Sequence, residues 1–398
     1  MIKFKLRKNL LYLLALYIFF NVRIVVKIII NKSFDYRPTF LYIYMMNLGE
    51  IFGGLSIYFY QYATMRKKKT IKYFGIKLIH NKKRKLSDNY VKIIALIFFA
   101  GLFHFIESHI LQYLVERRMT ISQSLDLRLG SLSTIFSSLI CTYALRFKFA
   151  KHNKISLIFV GACLFITIIS EILFNVGILT TKEIFFALFY SFCRYIFISF
   201  VDCIERYLVD YDYLNPFIII TLEGVIGLLF SILNSTQHKH AFGDLENQYK
   251  LNNTGRFISL IFLFFLYLLL SAALNVYKIY CNVIYTPMAK SLMEYLLAPL
   301  LNIYHLLLDN DFYNNYYYFV ECEILCLIID FFCCVYNEYI ILYCCGLEHE
   351  TKDEITLRAL SQEIEPSDYI LDNDEDDDNS SNFVYIEQKT INSINQMN

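Results

Sequence analysis

Two glutamates buried in long apolar runs are the residues of this sequence best placed to do chemistry. Glu50 opens Glu50-Ile51-Phe52-Gly53-Gly54-Leu55, and Glu223 opens Glu223-Gly224-Val225-Ile226-Gly227-Leu228. In both, a glycine follows one helical turn along the same face. An ionisable group inside a membrane-spanning helix is costly and marks function. A carboxyl there carries a coupled proton or hydrogen-bonds a substrate hydroxyl, while its small neighbours admit a second helix closely. The alternative is that each glutamate braces a helix junction.

Three cations accompany them. Arg128 opens the fourth apolar segment, Lys290 opens the ninth, and Arg194 lies well inside the sixth. A phosphate or other anion crossing a membrane needs cations at a cavity mouth or midplane, and arginine offers a bidentate fork. Arg128 and Lys290 could instead snorkel to water from helix ends, and Asp202 and Glu205 could neutralise Arg194. These five residues, Glu50, Glu223, Arg128, Arg194 and Lys290, are the candidate substrate contacts.

Other chemistries lack their residues. His104, Glu107 and His109 form H-x-x-E-x-H, not the H-E-x-x-H of zinc proteases, and in a helix His109 points away from the other two. No metal site is expected. G-x-x-x-x-G-K-[ST] is absent, which argues against a nucleotide-hydrolysing pump. With no nucleophile–base constellation, the expectation is no enzyme, no catalytic residue, no cofactor and no nucleic-acid partner. The cysteines sit mostly inside apolar runs, as do Cys322, Cys326, Cys333 and Cys334, and behave there as small hydrophobes. Cys344 and Cys345 are candidates for palmitoylation.

The elements that must position these residues are membrane helices. Apolar residues make up 57% of the chain and charged ones 18%, against about 25% charged in a soluble domain. Ten apolar segments recur, at 9–30, 39–63, 91–114, 127–147, 155–175, 183–207, 216–234, 256–279, 288–308 and 317–345. Runs of about 20 apolar residues span a bilayer as helices, which satisfy their own backbone. The first segment carries Arg23 and Lys27 and lacks a small-residue cleavage site, so it reads as a span, not a signal peptide.

Lysine and arginine set the orientation. They crowd the N-terminus at 1–8, the loop 66–89 and the turn after the fourth segment, all on one side with ten spans. That side is expected to be cytosolic, with both termini. The 66–89 loop is suited to anionic lipid headgroups. Sequons at Asn31, Asn234 and Asn252 fall on the opposite side. From 346 to 398 the chain turns polar, and Asp372–Asp378 is almost wholly acidic, so this tail reads as disordered and cytosolic.

Glu50 lies in the second segment and Glu223 in the seventh, and that odd number of steps gives the second half the opposite orientation. The reading is an all-α membrane protein of about ten helices in two inverted five-helix halves, 9–175 and 183–345. The chain also resembles the drug/metabolite transporter superfamily, specifically its nucleotide-sugar-transporter-like part, solute carrier family 35. Leu125-Asp126-Leu127-Arg128, Ser131–Leu139 and Ile155–Ile169 with Gly161-Ala162 look like that family's fourth and fifth helices. Asp202-Cys203-Ile204-Glu205-Arg206, Asn215-Pro216 and Glu223-Gly224 are similar to the sixth-to-seventh junction of its F branch, and Glu294-Tyr295 with Pro299 fits more loosely.

The resemblance implies two inverted halves, a central site, alternating access without ATP, and a Golgi or endoplasmic-reticulum address, with the plasma membrane the alternative. The lysine- and glycine-rich motifs that well-characterised members use around the nucleotide have no match here. A rival reading is a membrane scaffold or receptor, in which the basic loop binds lipid and the acidic tail binds a partner.

Overall fold

The computed structural model describes residues 2–4, 10–34, 36, 39–65, 72–73, 76–77, 90–116, 129–130, 132–145, 149–175, 180–212, 214–234, 243, 245–250, 254–284, 286–294, 316–343, 346–347 and 351. Within these the chain is almost entirely helical. The helices are α1 (Leu10–Ser33), α2 (Thr39–Met65), α3 (Tyr90–Glu116), α4 (Leu132–Ala144) and α5 (Lys151–Asn175), followed by α6 (Thr181–Asp210), α7 (Pro216–Leu233), α8 (Thr254–Ile284), α9 (Pro287–Glu294) and α10 (Tyr316–Tyr336). A short helical stretch at 245–250 precedes α8. Arg128, almost all of the basic loop and tail, residues 295–308 of the ninth segment, and Cys344 and Cys345 lie outside the described residues.

Six of these helices contain stretches long and apolar enough to cross a membrane: Phe40–Ala63, Tyr90–Ile110, Lys151–Ser170, Thr181–Asp210, Pro216–Leu233 and Thr254–Val283. Their outward faces carry large apolar side chains with no protein cover, including Ile94, Ile158, Phe165, Phe185, Phe262 and Phe265. Surface of that extent has no place in water and is met by lipid tails.

Local sequence explains where key helices begin. Before α6, Thr180 and Glu183 form a reciprocal capping box, each side chain accepting from the other's backbone N–H. Asn215 caps α7, accepting from Phe217 N at 2.9 Å ahead of Pro216, whose missing N–H costs nothing there. The same Asn215 donates to Gln61 Oε1 at 2.8 Å, so the cap also fixes α7 to the far end of α2.

The tenth apolar run reads as helix to 345, but α10 stops at Tyr336. Glu338 N donates to Val335 O and Tyr339 N to Cys334 O, with Glu338 at φ 57°. This is a Schellman stop built on a glutamate instead of a glycine. Glu338 is buried beside His152 of α5, Nε2 to Oε1 3.4 Å. Asn153 Nδ2 donates to Tyr336 O at 3.1 Å, joining the start of α5 to the end of α10. Beyond the stop, β4 (Ile340–Leu342) pairs antiparallel with β1 (Ile2–Phe4), Lys3 opposite Ile341. A two-residue pair, β2 (Lys72–Tyr73) with β3 (Ile76–Lys77), forms the remaining described sheet.

Helix packing follows a regular scheme. α1 and α2 both pack on α8; α6 and α7 both pack on α3. α2 also packs on α7, α4 on α9 and α5 on α10, while α4, α7, α8 and α9 each also meet α6, and α8 meets α9, without a described counterpart. The largest core cluster joins α4, α5, α6, α8 and α10 around Leu164, Tyr195, Leu274 and Ile329; a second joins α1, α2 and α8 around Ile30, Tyr42 and Phe264.

Candidate functional site

The two glutamate-bearing helices, α2 and α7, cross antiparallel and touch through their glycines. A Cβ added at Gly224 would sit 2.8 Å from both Asn47 O and Glu50 Cβ, and one added at Gly227 would sit 2.7 Å from Asn47 Oδ1. At Gly54 it would overlap Thr221 Oγ1 and lie 2.6 Å from Phe217 O. Bare backbone at these places lets the helices approach as only small residues permit. Tyr44 OH, donating to Ser231 O at 2.8 Å, clamps one end of the crossing; the Asn215–Gln61 bond clamps the other. Glu50 and Glu223 are both buried at this crossing.

Around them lies a connected set of buried and half-buried ionisable side chains drawn from α2, α3, α6, α7 and α9. His104 Nε2 of α3 is 3.2 Å from Glu50 Oε1. One turn on, Glu107 Oε1 accepts from Arg194 Nε of α6 at 2.7 Å. Also on α6, Asp202 Oδ1 accepts from Lys290 Nζ of α9 at 2.5 Å. Asn282 Nδ2 of α8 bridges the Asp202 carbonyl at 2.9 Å and Glu205 Oε2 at 2.7 Å. Glu205 also stands beside Glu223 of α7, close enough for the two carboxyls to interact. Oε1 of Glu223 and Oε2 of Glu50 accept no hydrogen bond from any described group.

Pairing is what makes these charges tolerable in an apolar bundle, because a lone buried charge costs several kcal/mol. It also couples helices on either side of the crossing: the α3–α6 contact runs through Glu107–Arg194 and the α6–α9 contact through Asp202–Lys290. A set of ion pairs linking separate helices can be exchanged for contacts to a bound solute.

The structure therefore brings four of the five sequence candidates, Glu50, Glu223, Arg194 and Lys290, into this charge-bearing interior. Two expectations about their partners change. The acid that neutralises Arg194 is Glu107, not Asp202 or Glu205, because Asp202 is taken by Lys290 and Glu205 by Asn282 and Glu223. Lys290 is buried and does not snorkel, since its amine turns inward to Asp202. His104 and Glu107 do share a face, whereas His109 turns its Nδ1 to Phe105 O at 2.8 Å and belongs to the helix. Glu205 and Asn282 were missed as members of the site. For Glu205 the signal was its spacing from Asp202, which puts both on one face of α6; Asn282 carried none.

Fold and site together define a multi-pass α-helical membrane protein with an ionised interior. No family model matches the chain, and no curated protein matches it.

Proposed function

We propose that the protein is a secondary transporter that moves a small anionic organic solute, a nucleotide sugar or similar metabolite, by alternating access. The observation that carries this reading is the antiparallel crossing of α2 and α7 around Glu50 and Glu223. Contacts at the crossing mirror one another, since Gly54 meets Ile220 as Gly227 meets Asn47. Gly54 and Gly227 each follow their own glutamate by one turn, and Asn47 and Ile220 each precede theirs by an equal interval. The most extensive helix contacts mirror too, if each helix is exchanged for the one five places along. Then α1 on α8 becomes α6 on α3, α2 on α8 becomes α7 on α3, and α2–α7, α4–α9 and α5–α10 map onto themselves.

That is the packing expected of two inverted five-helix halves, 9–175 and 183–345, of about ten spans in all. It agrees with the resemblance to the nucleotide-sugar-transporter-like part of the drug/metabolite transporters. A scaffold has no need of buried, exchangeable ion pairs at the junction of two such halves. In the same reading both termini are cytosolic, which the β1–β4 pairing supports by holding them together, and the membrane is that of the Golgi or endoplasmic reticulum.

The test is uptake by the purified protein in liposomes, using labelled nucleotide sugars outside and nucleoside monophosphates inside. Saturable exchange of one compound, impaired by Glu223→Gln at unchanged membrane insertion, is the expected result. No exchange from folded, inserted protein would remove the nucleotide-sugar assignment, and a fully active Glu223→Gln variant would remove the site.

A further inference from the structure

The cations assigned above to an anionic solute, Arg194 and Lys290, are each engaged with a carboxylate. Arg23 of α1 has no such partner among the described residues. Its guanidinium lies 5.7 Å from the ring centre of Phe20 and 5.8 Å from that of Tyr267 on α8, and its Nη1 is buried without a hydrogen-bond partner among the described residues. We propose that Arg23, held between Phe20 and Tyr267 at the α1–α8 interface, is the anion-binding residue of the transported solute and takes a phosphate or carboxylate group. The proposal rests on the transporter reading and supplies the contact that fixes its substrate class.

Among the described residues, sequence and packing both leave Arg23 without an acid. α1 and α8 contain no Asp or Glu, and α2 contains only Glu50, which faces His104. Those three helices form most of one core cluster, and no described carboxylate pairs with the guanidinium. Cation–π contacts hold an arginine in place and offset part of its desolvation, but they leave its N–H fork unfilled. One turn on, Lys27 Nζ stands 5.5 Å from the ring centre of Tyr42, which adds a second cation to the same face.

Arg23 also has a counterpart. α1 packs on α8 as α6 packs on α3, and at each of these interfaces the first helix places an arginine. Opposite Arg194 the partner helix supplies Glu107. Opposite Arg23 it supplies Tyr267, with the buried Ser271 one turn further. One half carries its own counter-ion, and the other leaves the position for a ligand.

Lipid is the other source of such an anion. The lipid-facing stripe of α1 is Ile18, Val22, Val25 and Ile29, all exposed, whereas Arg23 shares the inward stripe of Phe19, Val26 and Ile30. This placement favours a solute over a headgroup.

The test is equilibrium binding of radiolabelled inorganic phosphate to the full-length protein in phosphatidylcholine nanodiscs. Saturable binding is expected. It should weaken about tenfold or more in Arg23→Gln, the equivalent of one charge-assisted hydrogen bond, and less in Arg23→Lys, which keeps the charge but not the fork. Arg256→Gln, at the exposed start of α8, should bind as the parent does. Absence of binding by the folded protein, or equal binding by monodisperse Arg23→Gln and Arg23→Lys, overturns the proposal. Loss of phosphate binding on adding phosphatidylinositol would move the occupant to a lipid headgroup and overturn the solute assignment. If phosphate binds through Arg23 but no nucleotide sugar exchanges, the transport reading fails alone. Exchange that persists unchanged in Arg23→Gln sinks the anion site alone.

Discussion

Arg194 Nε donates to Glu107 Oε1 at 2.7 Å, which ties α6 to α3 inside the bundle through residues far apart in sequence. Removing one member strands the other as a buried charge. Arg194→Gln alone should destabilise the protein by about 3–5 kcal/mol. Combining it with Glu107→Gln should recover much of that loss, because two neutral amides can hydrogen-bond across the same gap. Thermal melting of the four proteins of this cycle in detergent measures the coupling. Additive losses would mean that the pair does not act as a unit.

Gly54 is the tightest point of the α2–α7 crossing. Gly54→Ala must push Thr221 and the Phe217 carbonyl aside and should cost about 1–3 kcal/mol, the usual toll of overpacking. Gly161→Ala is the control, since its added Cβ would meet only Ile135 Cδ1 at 3.7 Å. Equal melting temperatures for the two variants would contradict the close approach.

Glu205 and Glu223 stand close enough to interact, and two carboxyls share a hydrogen bond only with a proton between them. A glutamine at Glu205 supplies the donor permanently and still accepts from Asn282. Glu205→Gln should therefore melt within about 1 kcal/mol of the parent, while Glu205→Ala, which leaves Asn282 and Glu223 unmatched, should lose about 1–3 kcal/mol. Comparable losses in both would show that the two carboxyls do not face one another.

The stop of α10 offers a backbone test. Glu338→Ala and Glu338→Gly both remove the partner of His152, but only glycine adopts φ near 57° without a Cβ penalty. The glycine variant should be the more stable by about 1–2 kcal/mol. If alanine matched it, the left-handed turn would not persist in solution.

The helices were legible because lipid demands uninterrupted apolar runs, and such runs are visible without knowing the fold. Glu50 and Glu223 were legible for a related reason: a charge among apolar residues stands out, and a glycine one turn on marks a close neighbour. Which helix that neighbour is could not be read locally. The same limit hid the partner of Arg194, since Asp202 and Glu205 are nearer in sequence but are committed to Lys290 and Asn282. Arg23 was seen only as a mark against a signal peptide, because its setting is made by Tyr267, far along the chain on α8. The end of α10 is not legible because Tyr339, Ile340, Ile341 and Leu342 continue the apolar run, and a Schellman stop on glutamate has no glycine to announce it.

The pairing of Ile2–Phe4 with Ile340–Leu342 closes the helical part of the chain into a ring, buckled where β1 and β4 meet. One strand of the buckle precedes α1 and the other follows α10, so the two ends of the bundle cannot part on that side without unzipping it. A rocking motion would then hinge at the buckle and open widest at the far face. Affinity handles fused directly ahead of Ile2 would strain the clasp, so a tag placed after the acidic tail is the gentler choice for reconstitution.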